Sequence, residues 1–168
     1  MKPIAIIYGS SGGNTQAVAG KLAKQLGDAQ VTLLDVAKIK TTDLEAHSNL
    51  ILGTSTWGSG DLQDDWDSFL PKLQAQDLKD KTVALFGLGD SSSYSDTFVD
   101  GMGIIYEVIK DKGCRVVGAV AADGYDYESS RAEEGGKFVG LALDEDNEYE
   151  KTDARIATWA AAILPEFQ

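Results

Sequence analysis

The chain has 168 residues, 43% of them hydrophobic, and a formal net charge of −12 from 15 Lys plus Arg against 27 Asp plus Glu. One domain is the expected size, since domains commonly run to about 100–150 residues and single ones to about 250. The charge excludes nucleic acid as a partner, because phosphate backbones are held by clustered Lys and Arg, and no apolar run approaches the roughly 18 residues of a membrane-spanning helix. The opening MKPIAIIYGS lacks the cleavage pattern of a signal peptide and reads as a first strand. Cys114 is the single cysteine, which excludes an internal disulfide and a cysteine metal site and fits a cytoplasmic location.

In chain order, residues 4–8 form a short apolar run whose length and branched side chains favour a buried strand. A helix over 15–26 follows, with Val18, Leu22 and Leu26 on one face. A second buried strand is expected at 31–34, a short helix at 42–46 and a third strand at 50–53. The helix at 64–73 aligns Trp66, Phe69, Leu70 and Leu73, with Pro71 a candidate kink. Residues 83–87 are a fourth strand, 98–112 a helix carrying Met102, Ile105, Tyr106 and Ile109, and 116–120 a fifth strand. The segment 121–136, AADGYDYESSRAEEGG, has no periodicity and is long for a compact domain. It precedes the strand-like KFVGLAL at 137–143 and reads as an insertion in strand 5. A last helix at 152–164 aligns Ile156, Trp159, Ala160 and Ile163.

Strand and helix alternating five times imply a parallel sheet covered on both faces, in the doubly wound order 2-1-3-4-5. Ligands on such sheets bind beyond the carboxyl ends of the strands, at the switch between strands 1 and 3. Three loops meet there: GSSGGNT (9–15), TSTWGSGD (54–61) and GLGDSSSY (87–94).

The first loop is not a Walker A loop, because Asn14 stands where its second glycine belongs. It is not Gly-x-Gly-x-x-Gly either, because Ser11 holds the second glycine position. It is a compact turn into a helix N-terminus, whose free N–H groups and dipole favour an anion without any cation. Ser10, Ser11, Asn14 and Thr15 can add side-chain hydrogen bonds, although Asn14 or Thr15 could serve only as a helix cap. Trp57 is hard to place in a core among glycines, and Tyr94 ends the third loop. Either could simply pack over a neighbouring helix; together they can sandwich a flat ring. A phosphate attached to a planar heterocycle suits all three loops.

YGSSGGNT, TSTWGSGDLQDDWDSF, FGLGDSSSY with DGMG, DGYDYESS and KFVGLALDEDN together resemble the long-chain flavodoxins over essentially the whole chain. The resemblance implies a five-stranded flavodoxin-like fold with strand 5 split by a long insertion. It implies non-covalent FMN, with phosphate on Ser10, Ser11, Gly12, Gly13, Asn14 and Thr15 and the isoalloxazine between Trp57 and Tyr94. Ser55, Thr56, Gly58 and Ser59 of the second loop and Leu88, Gly89 and Asp90 of the third complete the expected set. Asp146 is either a partner of the ribityl hydroxyls or a solvated member of the run Asp144-Glu145-Asp146. Gly12 stands where the family has a hydroxyl residue, Ser55 where proline is common and Ser91 where glutamine is common.

The resemblance further implies a low-potential one-electron carrier, monomeric and not an enzyme, shuttling between semiquinone and hydroquinone. Its partners would be basic redox proteins: a flavodoxin/ferredoxin-NADP reductase, and an acceptor such as a photosystem, nitrogenase or a biosynthetic enzyme. Asp61, Asp64, Asp65 and Asp67 follow Trp57 with no Lys or Arg among them, which would disfavour an anionic reduced ring. Gly58 would permit a peptide flip that the oxidised form does not need, and Gly13 would let the backbone approach the phosphate. The alternative is an FMN-dependent reductase of the quinone reductase type on the same fold. A receiver domain fails, because Tyr8-Gly9-Ser10 and Gly53-Thr54-Ser55 stand where its acidic residues belong. His47 and Cys114 read as a surface residue and buried packing, not catalysts.

Overall fold

The structure, a computed structural model, describes residues 1–168. Its first half runs β1 (Ile4–Gly9), α1 (Asn14–Leu26), β2 (Val31–Asp35), α2 (Thr41–Glu45), β3 (Asn49–Trp57), the short β4 (Asp61–Leu62) and α3 (Asp64–Gln74). Its second half runs β5 (Thr82–Leu88), α4 (Asp100–Ile109), β6 (Arg115–Val117), β7 (Val120–Ala121), β8 (Glu133–Glu134), β9 (Lys137–Phe138), β10 (Leu141–Leu143) and α5 (Glu145–Ile163).

The main sheet is parallel, in the order β2-β1-β3-β5, and its last position is shared. There β6 pairs with Thr82–Ala84 of β5 while β10 pairs with Phe86–Leu88, both parallel. The fifth strand is therefore split, with its two halves on one neighbour. The intervening chain makes its own antiparallel sheet, β7-β9-β8. Residues 116–120 are accordingly not one strand: Val120 pairs with Phe138 in the small sheet.

Alternation along the strands sorts the core into two clusters. Ala5, Ile7, Leu50, Leu52, Val83 and Leu85 face α3, α4 and the insertion, where Trp66, Phe69, Met102 and Ile105 meet them. Ile4, Ile6, Ile51, Ala84 and Phe86 face α1 and α5, against Val18, Leu22, Ile156 and Trp159. Burial on both faces explains why β1, β3 and β5 are continuous apolar runs. β2 departs from the expected buried strand: it lies at the sheet edge, with Thr32 and Leu33 exposed.

The expected third helix is met to within one residue, and the start of the last helix differs from expectation. Pro71 sits inside α3, which runs on to Gln74. The last helix begins at Glu145, earlier than periodicity implied, because its first turn is polar and bent at non-helical Glu148. Asp144 caps it, its carboxylate accepting from the Asn147 N–H. That early start carries Glu145 and Asp146 to the carboxyl end of the sheet.

Candidate functional site

At that end the loops after β1, β3 and β5 and the start of α5 enclose a cleft of about 260 Å³. Of the expected residues, Gly12, Asn14, Thr15, Ser55, Thr56, Trp57, Gly58, Leu88, Gly89, Asp90, Tyr94 and Asp146 line it. Ser10, Ser11, Gly13 and Ser59 do not. No lining residue is basic, and Asp90, Glu145 and Asp146 are acidic.

The floor is the start of α1. Gly13 occupies its N-cap at φ 94, with no side-chain cap and no acidic residue in the first turn. The N–H groups that open a helix have no intrahelical partner, so the cleft meets a bare, positively polarised helix end. Around it the hydroxyls brace the loop. Ser10 Oγ accepts from the Gly13 N–H at 3.0 Å, and Ser11 Oγ accepts from Gln63 Nε2 at 3.1 Å. Both remain able to donate. A Cβ at Gly12 or Gly13 would meet nothing within 4 Å. Gly13 is required by its left-handed backbone, whatever space lies beside it.

The walls are aromatic. Trp57 is 47% exposed and Tyr94 45%, whereas Trp66 is fully buried and donates to the Gly53 carbonyl at 2.7 Å. Trp57 instead donates its indole N–H to Ser55 Oγ at 2.8 Å, so Ser55, at the position where proline was expected, orients the ring. Thr56 Oγ1 accepts from the Gly101 N–H at 2.9 Å, tying the same loop to α4. Gly58 has φ 50, the left-handed region. A β-branched residue there would be strained in the conformation seen here, and not only after a flip.

The rim is a carboxylate network. Asp90 Oδ1 accepts from the N–H groups of Ser92 and Ser93 at 3.1 and 2.9 Å and from Asn147 Nδ2 at 2.8 Å. Asp144 is fully buried, accepting from Asn147 Nδ2 at 2.9 Å and from Ser91 Oγ. Ser91 is thus part of this network. Burial pushes the Asp90 carboxyl up, but its hydrogen bonds from Ser93, Asn147 and Ser92 outweigh it and leave it below the ordinary value. Burial, followed by the charges of Asp90, Asp144 and Glu145, pushes Asp146 up. Asp146 is exposed at the rim while Asp144 is not, so the run Asp144-Glu145-Asp146 is not uniformly solvated.

Glu145, Asn147 and Gln63 were missed in the sequence. Glu145 lines the cleft, Asn147 links Asp90 to Asp144, and Gln63 caps α3 at Trp66 while holding Ser11. Only the Asp-x-x-Asn cap spacing of Asp144 and Asn147 could have signalled any of them. Outside the site, half-buried His47 Nδ1 lies 2.9 Å from the Asp43 carbonyl. The half-buried Cys114 thiol is pushed up by burial.

With this geometry in hand, the Flavodoxin family profile matches residues 6–159. The chain belongs to the flavodoxin family. It is 46% identical to the flavodoxin of Helicobacter pylori over 167 residues, covering 99% of each chain. It is 44% identical to that of Nostoc sp. PCC 7120 over 166 residues, covering 99% of this chain and 98% of the other. The crystal structure of Fusobacterium nucleatum flavodoxin bound to flavin mononucleotide superposes with a TM-score of 0.95 at 34% identity, covering 100% of both chains. No helix is long and apolar enough to cross a membrane.

Proposed function

We propose that this flavodoxin carries electrons singly on a non-covalently bound FMN held in the cleft at the carboxyl end of the sheet. Flavodoxins are electron-transfer proteins rather than enzymes. The observation that carries the reading is one cleft with an uncapped helix N-terminus as floor and two half-exposed aromatic rings as walls.

The donor set suits FMN. A phosphate of about two negative charges needs N–H donors, and the N–H groups of Gly12, Asn14 and Thr15 with the Thr15 hydroxyl would supply them from the cleft lining, with Ser10 and Ser11 bracing the loop beside it. The absence of Lys and Arg from the lining leaves backbone dipoles as the only positive potential in the cleft. Trp57 and Tyr94 are the apolar faces between which a planar ring would stack. Ser55, Thr56, Gly58 and Ser59 form the loop on one side, and Leu88, Gly89 and Asp90 the loop on the other. Asp146 takes the role of a hydroxyl acceptor at the rim.

FMN, when bound, supplies reversible one-electron chemistry at its isoalloxazine ring. The protein's part is positioning and field. Trp57 and Tyr94 would flank the ring, an arrangement that opposes a bound second substrate and favours transfer at the ring edge. Asp61 pairs in register with Trp57 across β3 and β4, and its Oδ2 would lie 3.5 Å from a Cβ at Gly58. Together with Asp90, Glu145 and Asp146 it surrounds the ring position with negative charge, which disfavours added electron density and lowers the potential.

The same carboxylates define the partner class. Exposed Asp61, Asp64 and Asp67 adjoin the Trp57 loop and attract a basic redox protein, such as a flavodoxin/ferredoxin-NADP reductase on the donor side. The test is stepwise reduction of the FMN-loaded protein together with an assay of NADPH oxidation. Uptake of two separate single electrons with no NADPH turnover by the isolated protein is expected. Steady NADPH turnover would replace the carrier by a reductase.

A further inference from the structure

A second concave site lies on the opposite stretch of α5. It has a volume of about 380 Å³, and seven of its nine lining residues are hydrophobic. Val120, Tyr125 and Leu141 form one wall; Ala154, Arg155 and Trp159 form the other. It shares no residue with the cleft, whose α5 contribution ends at Asp146. Ligand sites are commonly about 300–1,000 Å³, mostly apolar, with a few placed polar groups, and this groove has that make-up.

Its polar group is Arg155. The guanidinium lies over the Tyr125 ring, 4.1 Å from the centroid, and is mostly withdrawn from water. Nη2 donates to Glu148 Oε1 at 3.2 Å and, at a long 3.4 Å, to the Gly124 carbonyl. Nη1 is buried with no hydrogen-bond partner. Leaving a buried donor unpaired is costly and rare, and such a group commonly marks a missing partner. Nor does Glu148 neutralise the locus, because the same carboxylate is held at 2.5 Å by Lys151 Nζ. Two cations share one anion, which leaves local positive charge beside an apolar groove in a protein of net charge −12. The indole N–H of Trp159 is already committed to the Gly118 carbonyl at 2.8 Å, so the tryptophan contributes apolar surface and Arg155 the recognition.

We propose that this groove is a second small-molecule site, taking an amphipathic monocarboxylate: an apolar aryl or short alkyl body against Trp159, Leu141 and Val120, and a carboxylate on Arg155. Since Nη1 is shut off from bulk water, occupancy requires the guanidinium to turn towards the groove. That turn gives up the long bond to the Gly124 carbonyl, in which only the donor is charged, and gains a bond in which donor and acceptor are both charged.

The test titrates the full-length, FMN-loaded protein with 4-phenylbutyrate and with its neutral counterpart 4-phenylbutan-1-ol, followed by amide chemical shifts. Saturable shifts confined to residues 119–125, 141 and 154–162 are expected, with the acid binding about tenfold or more tightly than the alcohol. Arg155→Gln should bring the two to parity while the flavin spectrum is unchanged. If that variant does not fold, Ala154→Leu narrows the groove from its exposed wall and should weaken both ligands with Arg155 intact. Equal affinity of acid and alcohol in the parent protein, shifts centred on the cleft instead, or no saturation would each overturn the proposal. So would concentration-dependent self-association that perturbs the same amides without ligand, since the groove would then be a contact between copies.

Discussion

The two ends of the same sheet are built on opposite terms. At the amino end the side chains of Asn49 and Lys81 are spent internally. Fully buried Asn49 donates to the carbonyls of Lys2 and Gln168 at 3.0 and 3.2 Å and accepts the Gln168 N–H at 3.0 Å. Lys81 Nζ donates to the carbonyls of Leu44 and His47 at 2.9 and 2.7 Å. At the carboxyl end the helix start is uncapped, two aromatic rings stand half exposed and three carboxylates crowd the rim. The difference teaches that donors left without partners, where an equivalent set could have been satisfied, mark the functional end of an otherwise uniform scaffold.

The contrast breaks hardest at Asn49. Asn49→Leu strips partners from buried backbone groups, each costing about 1–3 kcal/mol. Urea unfolding should register a loss of about that size or more, while FMN affinity, measured by flavin fluorescence quenching, stays within about twofold of the parent. A large loss of affinity would mean that the two ends are coupled.

Tyr94→Ala should do the reverse. Losing one wall removes aromatic contact of about 0.5–1.5 kcal/mol beyond buried area, so FMN should bind roughly tenfold more weakly. Urea unfolding of the FMN-free protein should hardly change, because the ring is 45% exposed.

Gly13→Val sharpens the comparison by affecting both readouts. Its left-handed φ costs a side-chain-bearing residue about 1–2 kcal/mol, so FMN-free stability and FMN affinity should fall together. Loss of affinity alone would show that the glycine matters for approach after all. Ser11→Ala removes one neutral hydrogen bond and should weaken FMN by only about 0.5–1.5 kcal/mol.

The smallest effect separates two neighbouring carboxylates. In the FMN-free protein, carboxyl carbon NMR should find Asp90 titrating below the ordinary aspartate value and Asp146 above it. Asp90, with its value depressed, contributes stability that is present above the unfolded value and fades as pH falls through the folded one. Asp146, with its value raised, contributes the other way: its stabilisation is present below the unfolded value and is lost as pH rises through the folded one. Asp90→Asn should therefore flatten the acid side of the stability profile, and Asp146→Asn should steepen it.

Much of this molecule was legible along the chain. Short apolar runs alternating with amphipathic stretches determined a doubly wound sheet, because a strand buried on both faces must be apolar throughout and a helix on one face must repeat its apolar side chains. Glycine and hydroxyl residues after the first run located the uncapped helix start that faces the cleft, and Trp57 and Tyr94 stood out because large rings among glycines and serines have no core to enter. The tertiary structure alone decided the rest. It put β2 at an exposed edge, divided the fifth strand between β6 and β10, and drew Val120 into a separate sheet, since pairing partners distant in sequence leave no local pattern. It also buried Asp144 while leaving Glu145 half-buried and Asp146 exposed, the last two both lining the cleft, out of three adjacent acidic residues that no composition distinguishes. Their fates follow from the bend at Glu148 and the hydrogen bonds of Asn147 and Ser91, which exist only once α5 meets the loop after β5.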